Sequence, residues 1–460
     1  MYFYNNHKIL ITLMILSFIL IFINIDFQIK KFGKILKHQD GSEYHGIIKS
    51  PPEIKIWKHA SEFKSDISIK NLQPYEFRHH FLPPKILGFS SKLFKIEFYH
   101  SNSNINIKNI NIKNINFFFY FQIFVYYFCV IIFYSKLIEL NIKKSIINFT
   151  VFFLLFEPTI NQYNSTIFGE TIFFSLLILS FVYLIDLPKK NYSYFLFGLL
   201  FSVLYLQRSV AMFLIFVPIT LLLLNFKQKS FFKILNLIIP FLIILILLGT
   251  LNYKRSNVFY FLPTQTIDNL YNYFLPKIDS KLSNKSASQS KKKLMDAKNN
   301  FALDNKLDLE IESDRIKFYN FQKNEAIKTI LNNKLITLRE AIISSMHSML
   351  LNPVEIINTR IKGKDYYKSD LHQKYVKYRI FYSFLIYTII LIGFFYSLKK
   401  KIIAPLILLF VGTYFFIISS WVGYTRYFVP TLLSLCIYFG FGLEFIFTKI
   451  INLKKYYKNA

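Results

Sequence analysis

Several stretches of this chain combine residue types that could do chemistry. Asp40-Gly41-Ser42-Glu43-Tyr44 sets two carboxylates beside a phenol. Such a carboxylate can take a proton from an attacking hydroxyl or hold a metal ion. Asp-Gly also favours a solvated turn, and that plainer reading competes. Tyr75 to Pro84 brings Arg78, His79 and His80 up to the step Pro83-Pro84. Arginine grips a phosphate through two parallel bonds, and histidine can donate to one. Adjacent histidines point different ways on a helix or strand, so a metal pair is not expected; the plainer reading is a basic loop.

A third stretch runs from Glu157-Pro158 through Tyr163 to Glu170-Thr171. Two acids flank it, each beside a long apolar run. Carboxylates near a bilayer are costly unless paired or wet, so they are functional candidates, against the plainer reading of acids facing water. Gln207-Arg208-Ser209 and Trp421 to Tyr427, which contains Arg426, each add an arginine at the end of an apolar run. Lone arginines at helix ends also snorkel to the interface. There is no Gly-rich phosphate loop, no HExxH pair and no GxSxG elbow. An ATP-driven engine is therefore not expected. No cofactor is expected either; a divalent metal is compatible with the acids, but no spacing demands one.

These residues need elements to position them. Of the 460 residues, 53% are hydrophobic and 19% aromatic, and they fall in long, nearly uncharged runs such as Ile234 to Leu251. A helix apolar all round needs lipid or a large core around it. The expected fold is all-α, a polytopic transmembrane bundle of about ten helices with two hydrophilic segments on the outer side. The spans are read as 9–25, 117–135, 146–160, 167–185, 194–206, 210–224, 231–251, 381–397, 402–420 and 427–447. Residues 1–25 form an uncleaved first helix, since no small-residue cleavage site follows. Residues 26–116 form the first outer loop, with the candidate acid. Residues 117–251 carry helices two to seven, and 252–380 a second outer segment. Residues 381–460 carry the last three helices and a basic tail.

Lys136, Lys143, Lys144, Lys189, Lys190, Lys227, Lys229, Lys233 and Lys399 to Lys401 lie in alternate short loops. The positive-inside rule puts those loops, and both termini, in the cytoplasm. Splitting Tyr194–Leu224 at Arg208 keeps every basic cluster on that side; one long helix would not. Asp40, Arg78, Glu157, Glu170, Arg208 and Arg426 then share the outer face. Within 252–380, Ser280 to Lys293 reads as a mobile Ser/Lys/Asn-rich loop. Ile316 to Leu351 reads as one helix, stopped by Asn352-Pro353. Asn104 to Asn116 reads as a low-complexity tether. The net charge of +30 reflects a Lys-rich composition and basic short loops, so nucleic acid is not an expected partner; anionic membrane lipid is. Cys129 and Cys436 sit in apolar runs and form no disulfide framework.

Taken in order, these motifs resemble the GT-C class of polyprenyl-phosphate-dependent glycosyltransferases, near the protein O-mannosyltransferase and aminoarabinose transferase branch. The resemblance rests on Asp40 to Tyr44 after the first span and on Arg78 before Leu82-Pro83-Pro84. It rests too on Pro158, Tyr163 and Glu170-Thr171, on Phe197-Gly198-Leu199-Leu200 running to Leu206-Gln207-Arg208, and on Arg426-Tyr427 with Pro430. It covers roughly residues 8–225. It departs from the family in reading Asp-Gly-Ser-Glu-Tyr rather than a tight acid pair, so Asp40 and Glu43 both stand as the base. The resemblance implies transfer of a sugar from a polyprenyl-phosphate donor, with inversion, to a lipid, glycan or protein acceptor outside a bacterial inner membrane. Arg78, His80, Arg208 and Arg426 would bind the donor phosphate. Tyr44, Glu157, Tyr163 and Glu170 would bind acceptor or hold the site. The rival classes are a surface-polysaccharide polymerase or ligase, and a transporter or flippase of lipid-linked substrates. The acid-bearing first loop argues against the former. Clean spans without internal repeats argue against the latter.

Overall fold

The structure is a computed structural model and describes residues 2–32, 112–164, 170–187, 191–224, 230–261, 267, 269–308, 311–350, 370–400, 402–419 and 425–459. Among them it is all-helical, without a strand. The helices are α1 (Tyr2–Phe32), α2 (Ile112–Glu139), α3 (Lys144–Phe156), α4 (Pro158–Asn164), α5 (Glu170–Ile185) and α6 (Asn191–Gln207). A 3-10 turn (Ser209–Ile215) leads into α7 (Phe216–Leu224), followed by α8 (Ser230–Ser256). A π turn (Leu270–Phe274) opens α9 (Leu275–Ser283), then come α10 (Ala287–Asp304), α11 (Glu312–Asn332) and α12 (Lys334–Leu350). The chain closes with α13 (Asp370–Lys399), α14 (Ile403–Ser419) and α15 (Thr425–Asn459).

Among the described residues the apolar runs read from the sequence are helical, with one correction: the span read as 146–160 breaks at Glu157 into α3 and α4, because Pro158 ends the first helix. Four stretches, in α2, α8, α13 and α15, are long and apolar enough to cross a membrane, and six shorter apolar helices accompany them. Their outward faces are apolar: Ile23, Phe124, Phe128, Ile246, Phe381 and Phe384 are all more than half exposed or close to it. Water does not tolerate apolar surface on this scale, whereas hydrocarbon does. Polar side chains go inward instead. Ser17, Gln122, Thr150, Ser202 and Ser434 are all buried and hydrogen-bonded across or along helices.

The central helix is α15. Its apolar window is 78% buried, against 28% for α8 at the edge. Glycine makes this position available. A Cβ on Gly393 of α13 would lie 1.8 Å from the Tyr438 carbonyl oxygen, and one on Gly442 of α15 would lie 2.0 Å from that of Ile389. The two backbones touch where these glycines meet, a close approach only the missing side chain permits. Gly393→Ala should therefore destabilise the fold by at least about 1–3 kcal/mol through overpacking. Gly412→Ala, whose Cβ would meet its nearest neighbour at 3.4 Å, should behave like the parent. Thermal unfolding in detergent, read side by side for the two variants, checks this.

Four further expectations need correction. The span split falls at Arg208 as read, but the second half starts as a 3-10 turn folded against α6 rather than as a second regular helix. Ser280–Lys293 is not a loop. Asn284 ends α9 in the left-handed conformation (φ 52°) and Ser286 starts α10. Ser286 accepts from the Gln289 amide while the Gln289 side chain accepts from the Ser286 amide, a reciprocal capping box. Ile316–Leu351 is two helices, broken at Asn333 (φ −127°, ψ 48°). The first residues of the expected tether's end, 112–116, already belong to α2.

A buried polar corner as candidate functional site

The corner is built from the chain outward at Glu157. Pro158 follows it, which excludes the α region for Glu157 (φ −58°, ψ 121°) and ends α3. Proline at the first position of α4 is compatible with a helix start, where no amide partner is required. Glu157 then caps α4: one carboxylate oxygen accepts from the Ile160 amide at 2.9 Å. The other accepts from the Thr159 hydroxyl at 3.0 Å. Arg379, on α13, completes the cluster. Its Nη2 donates to Thr159 Oγ1 at 2.7 Å and stands 3.6 Å from the same Glu157 oxygen. The guanidinium lies 4.9 Å from the ring centre of Tyr382, one turn further along α13. Both side chains are more than nine-tenths buried. The Arg379 Nε, also buried, meets no hydrogen-bond acceptor among the described residues.

A second ion pair stands in the same layer. Glu170 is the first residue of α5, where the helix dipole favours a carboxylate. Arg208 is extended (φ −151°, ψ 120°) between α6 and the 3-10 turn, and its Nη2 donates to Glu170 Oε1 at 2.8 Å. The two side chains are 5% and 1% exposed, so the pair is withdrawn from water. Phe173, on the same face of α5 as Glu170, lies under the guanidinium at 5.7 Å.

Hydrogen bonds tie these pairs to one end of the bundle. Thr171 donates to the Tyr163 carbonyl at 3.4 Å, and Gln122 of α2 to the Asn164 carbonyl at 3.3 Å. Tyr163 itself is buried, its ring edge-on to Phe174. Tyr126 donates to the Leu154 carbonyl at 2.8 Å, and Ser17 of α1 to that of Leu155 at 3.0 Å. Tyr205 donates to the Phe261 carbonyl just past α8, and Tyr414 of α14 to that of Val210. The chain therefore enters the bundle at this end after residues 33–111. It also leaves and re-enters there around residues 257–369. At the opposite end, Lys143 pairs with Glu444, and Lys136 pairs with Asp186 and with Glu139.

Of the residues singled out from the sequence, Glu157, Tyr163, Glu170 and Arg208 are thus brought to one end. Arg426 is the second residue of α15, at the helix terminus on this end; its side chain lies outside the described residues. Asp40, Glu43, Tyr44, Arg78 and His80 also lie outside them. The sequence reading passed over Arg379 and Thr159. Arg379 sits only two residues before the span read as 381–397, and that proximity of a cation to an apolar run was the available signal. Among the described residues, no group of three His, Cys, Asp or Glu gathers in a way that could hold a metal ion. Comparison with protein-family models, with curated proteins and with solved structures finds none that matches this chain.

Proposed function

We propose that the protein is a polytopic membrane glycosyltransferase of about ten transmembrane helices. It moves a sugar from a polyprenyl-phosphate donor to an acceptor on the non-cytoplasmic face of a bacterial inner membrane. The observation that carries this reading is the pair of buried Glu–Arg couples at the end of the bundle where both long segments join it. The lysine-rich ends lie opposite, as the positive-inside rule prefers for cytoplasmic loops.

In this reading the acceptor hydroxyl attacks the anomeric carbon from the side opposite the phosphate. A new C–O bond forms, the bond to the phosphate oxygen breaks, and polyprenyl phosphate leaves with the electron pair. Asp40 or Glu43 takes the hydroxyl proton. The leaving phosphate develops negative charge, and a cation fixed in advance stabilises it most where water is excluded. Arg208, oriented by Glu170, is the first candidate for that cation, Arg379, Arg78 and Arg426 are further candidates, and His80 is a candidate donor. Glu157 is engaged by a helix cap, a hydroxyl and an arginine, which favours its positioning role over acceptor binding.

Arg208→Lys tests the assignment. It keeps the charge but loses the planar two-pronged donor. Turnover of a lipid-linked sugar should fall by about 10²-fold while the thermal stability stays close to the parent's. Unchanged kinetics would remove Arg208 from the phosphate site.

A further inference from the structure

Helix α12 is built inside out. Glu340, Ser344, Ser345 and Ser348 are buried, while Leu335 (84% exposed), Leu338, Ile342 and Met346 form an outward ridge at spacings of three, four and four. A helix on a water-soluble domain places these residues the other way round.

The polar face is engaged. Ser345 donates to the Phe416 carbonyl of α14 at 2.8 Å. Lys277 of α9 donates to Ser344 at 2.7 Å, where burial lowers the ammonium pKa and nearby Glu340 opposes that shift. Tyr387 of α13 donates to the Met349 carbonyl at 3.1 Å. These bonds also set depth. Phe416 belongs to the apolar helix Pro405–Ser419, and Tyr387 lies ten residues inside the membrane-length stretch Lys377–Lys399, about 15 Å along the axis. The C-terminal half of α12 therefore runs beside the apolar helices at their own level. Its outward ridge continues their lipid-type surface, since Ile417 and Phe384, next to the two anchor points, are 57% and 69% exposed. Lys334 and Arg339, both exposed on α12, have the reach to place their charges at head groups.

We propose that α12 descends from the membrane interface into the outer half of the bilayer, with Leu338, Ile342 and Met346 among lipid acyl chains and the serine face clamped onto α13 and α14. The occupant of the ridge is lipid, by continuity with the neighbouring surface. Residues 334–350 then belong to the membrane layer rather than to a hydrophilic outer segment. This inference rests on the membrane reading and not on the transfer reaction.

The test places single cysteines in the full-length chain. Native Cys129 and Cys436 are both buried and are replaced by alanine. Leu338→Cys, Ile342→Cys and Met346→Cys are labelled with an environment-sensitive fluorophore in phosphatidylcholine vesicles, with Lys292→Cys on exposed α10 as the aqueous reference. Ridge labels should emit at shorter wavelength than the reference. They should lose emission with brominated acyl chains and keep it with iodide. Quenching by iodide alone would overturn the proposal. Protection from both quenchers would also overturn it, because the ridge would then be covered by protein, either this chain's own or a second copy. Dilution into excess lipid would separate those two covers without restoring the proposal.

Discussion

Arg379→Met should lower the stability of the solubilised protein by about 3–5 kcal/mol, because it strands the Glu157 carboxylate in a buried site. The single change removes the guanidinium 3.6 Å from that carboxylate and the donor to Thr159 together. Glu157 keeps its bonds from Ile160 and Thr159, yet neither brings a compensating charge. The double variant Glu157→Gln/Arg379→Met should recover most of the loss, since glutamine can still accept from the Ile160 amide and no ion is left uncompensated. Thermal unfolding of the parent, both singles and the double in one detergent closes the cycle. Equal, additive losses would show that the two side chains do not act as a pair.

Asp40→Asn should abolish sugar transfer while expression, membrane insertion and the unfolding temperature stay at parental values. An amide keeps the shape of the carboxylate but cannot take the proton of the acceptor hydroxyl. Loss of general base catalysis alone costs about 10²–10⁴-fold. Glu43→Gln is the matched comparison. If Asp40 is the base, Glu43→Gln should retain most activity; the reverse pattern would move the role to Glu43. Full activity in both single variants and in the double would dismiss this motif as the catalytic acid pair. The readout is turnover of one lipid-linked donor by purified protein in vesicles.

Much of the helical scaffold was legible because long apolar runs impose helices regardless of tertiary context. The break at Arg208 was legible for a different reason: Gln207-Arg208 interrupts an otherwise apolar stretch, and only a split there keeps every basic cluster on the cytoplasmic side. Its partner was not. Glu170 lies 38 positions away, and Arg379 reaches Thr159 across 220. No local pattern encodes such pairings. The structure instead explains why acids and cations recur at apolar helix ends: they satisfy one another inside the bundle. Composition misled at Ser280–Lys293, where Ser, Lys and Asn suggested a loop. The sequence Ser286-Ala287-Ser288-Gln289 already carried the S-x-x-Q signature of a helix start. For α12, periodicity identifies two faces, but only packing reveals that the serine face is the inner one.

The proposed reaction is sugar transfer at the corner formed by Glu157, Arg379, Glu170 and Arg208, with Asp40 or Glu43 as the base. It is tested most directly by incubating the purified protein in vesicles with a panel of polyprenyl-phosphate sugars and following the fate of each lipid. The account predicts that at least one donor is cleaved, releasing polyprenyl phosphate and yielding a product of inverted anomeric configuration, and that Asp40→Asn stops this. Lipid-linked sugars that cross the bilayer intact, or donors that all remain uncleaved with acceptor lipids, glycans and proteins present, would contradict it.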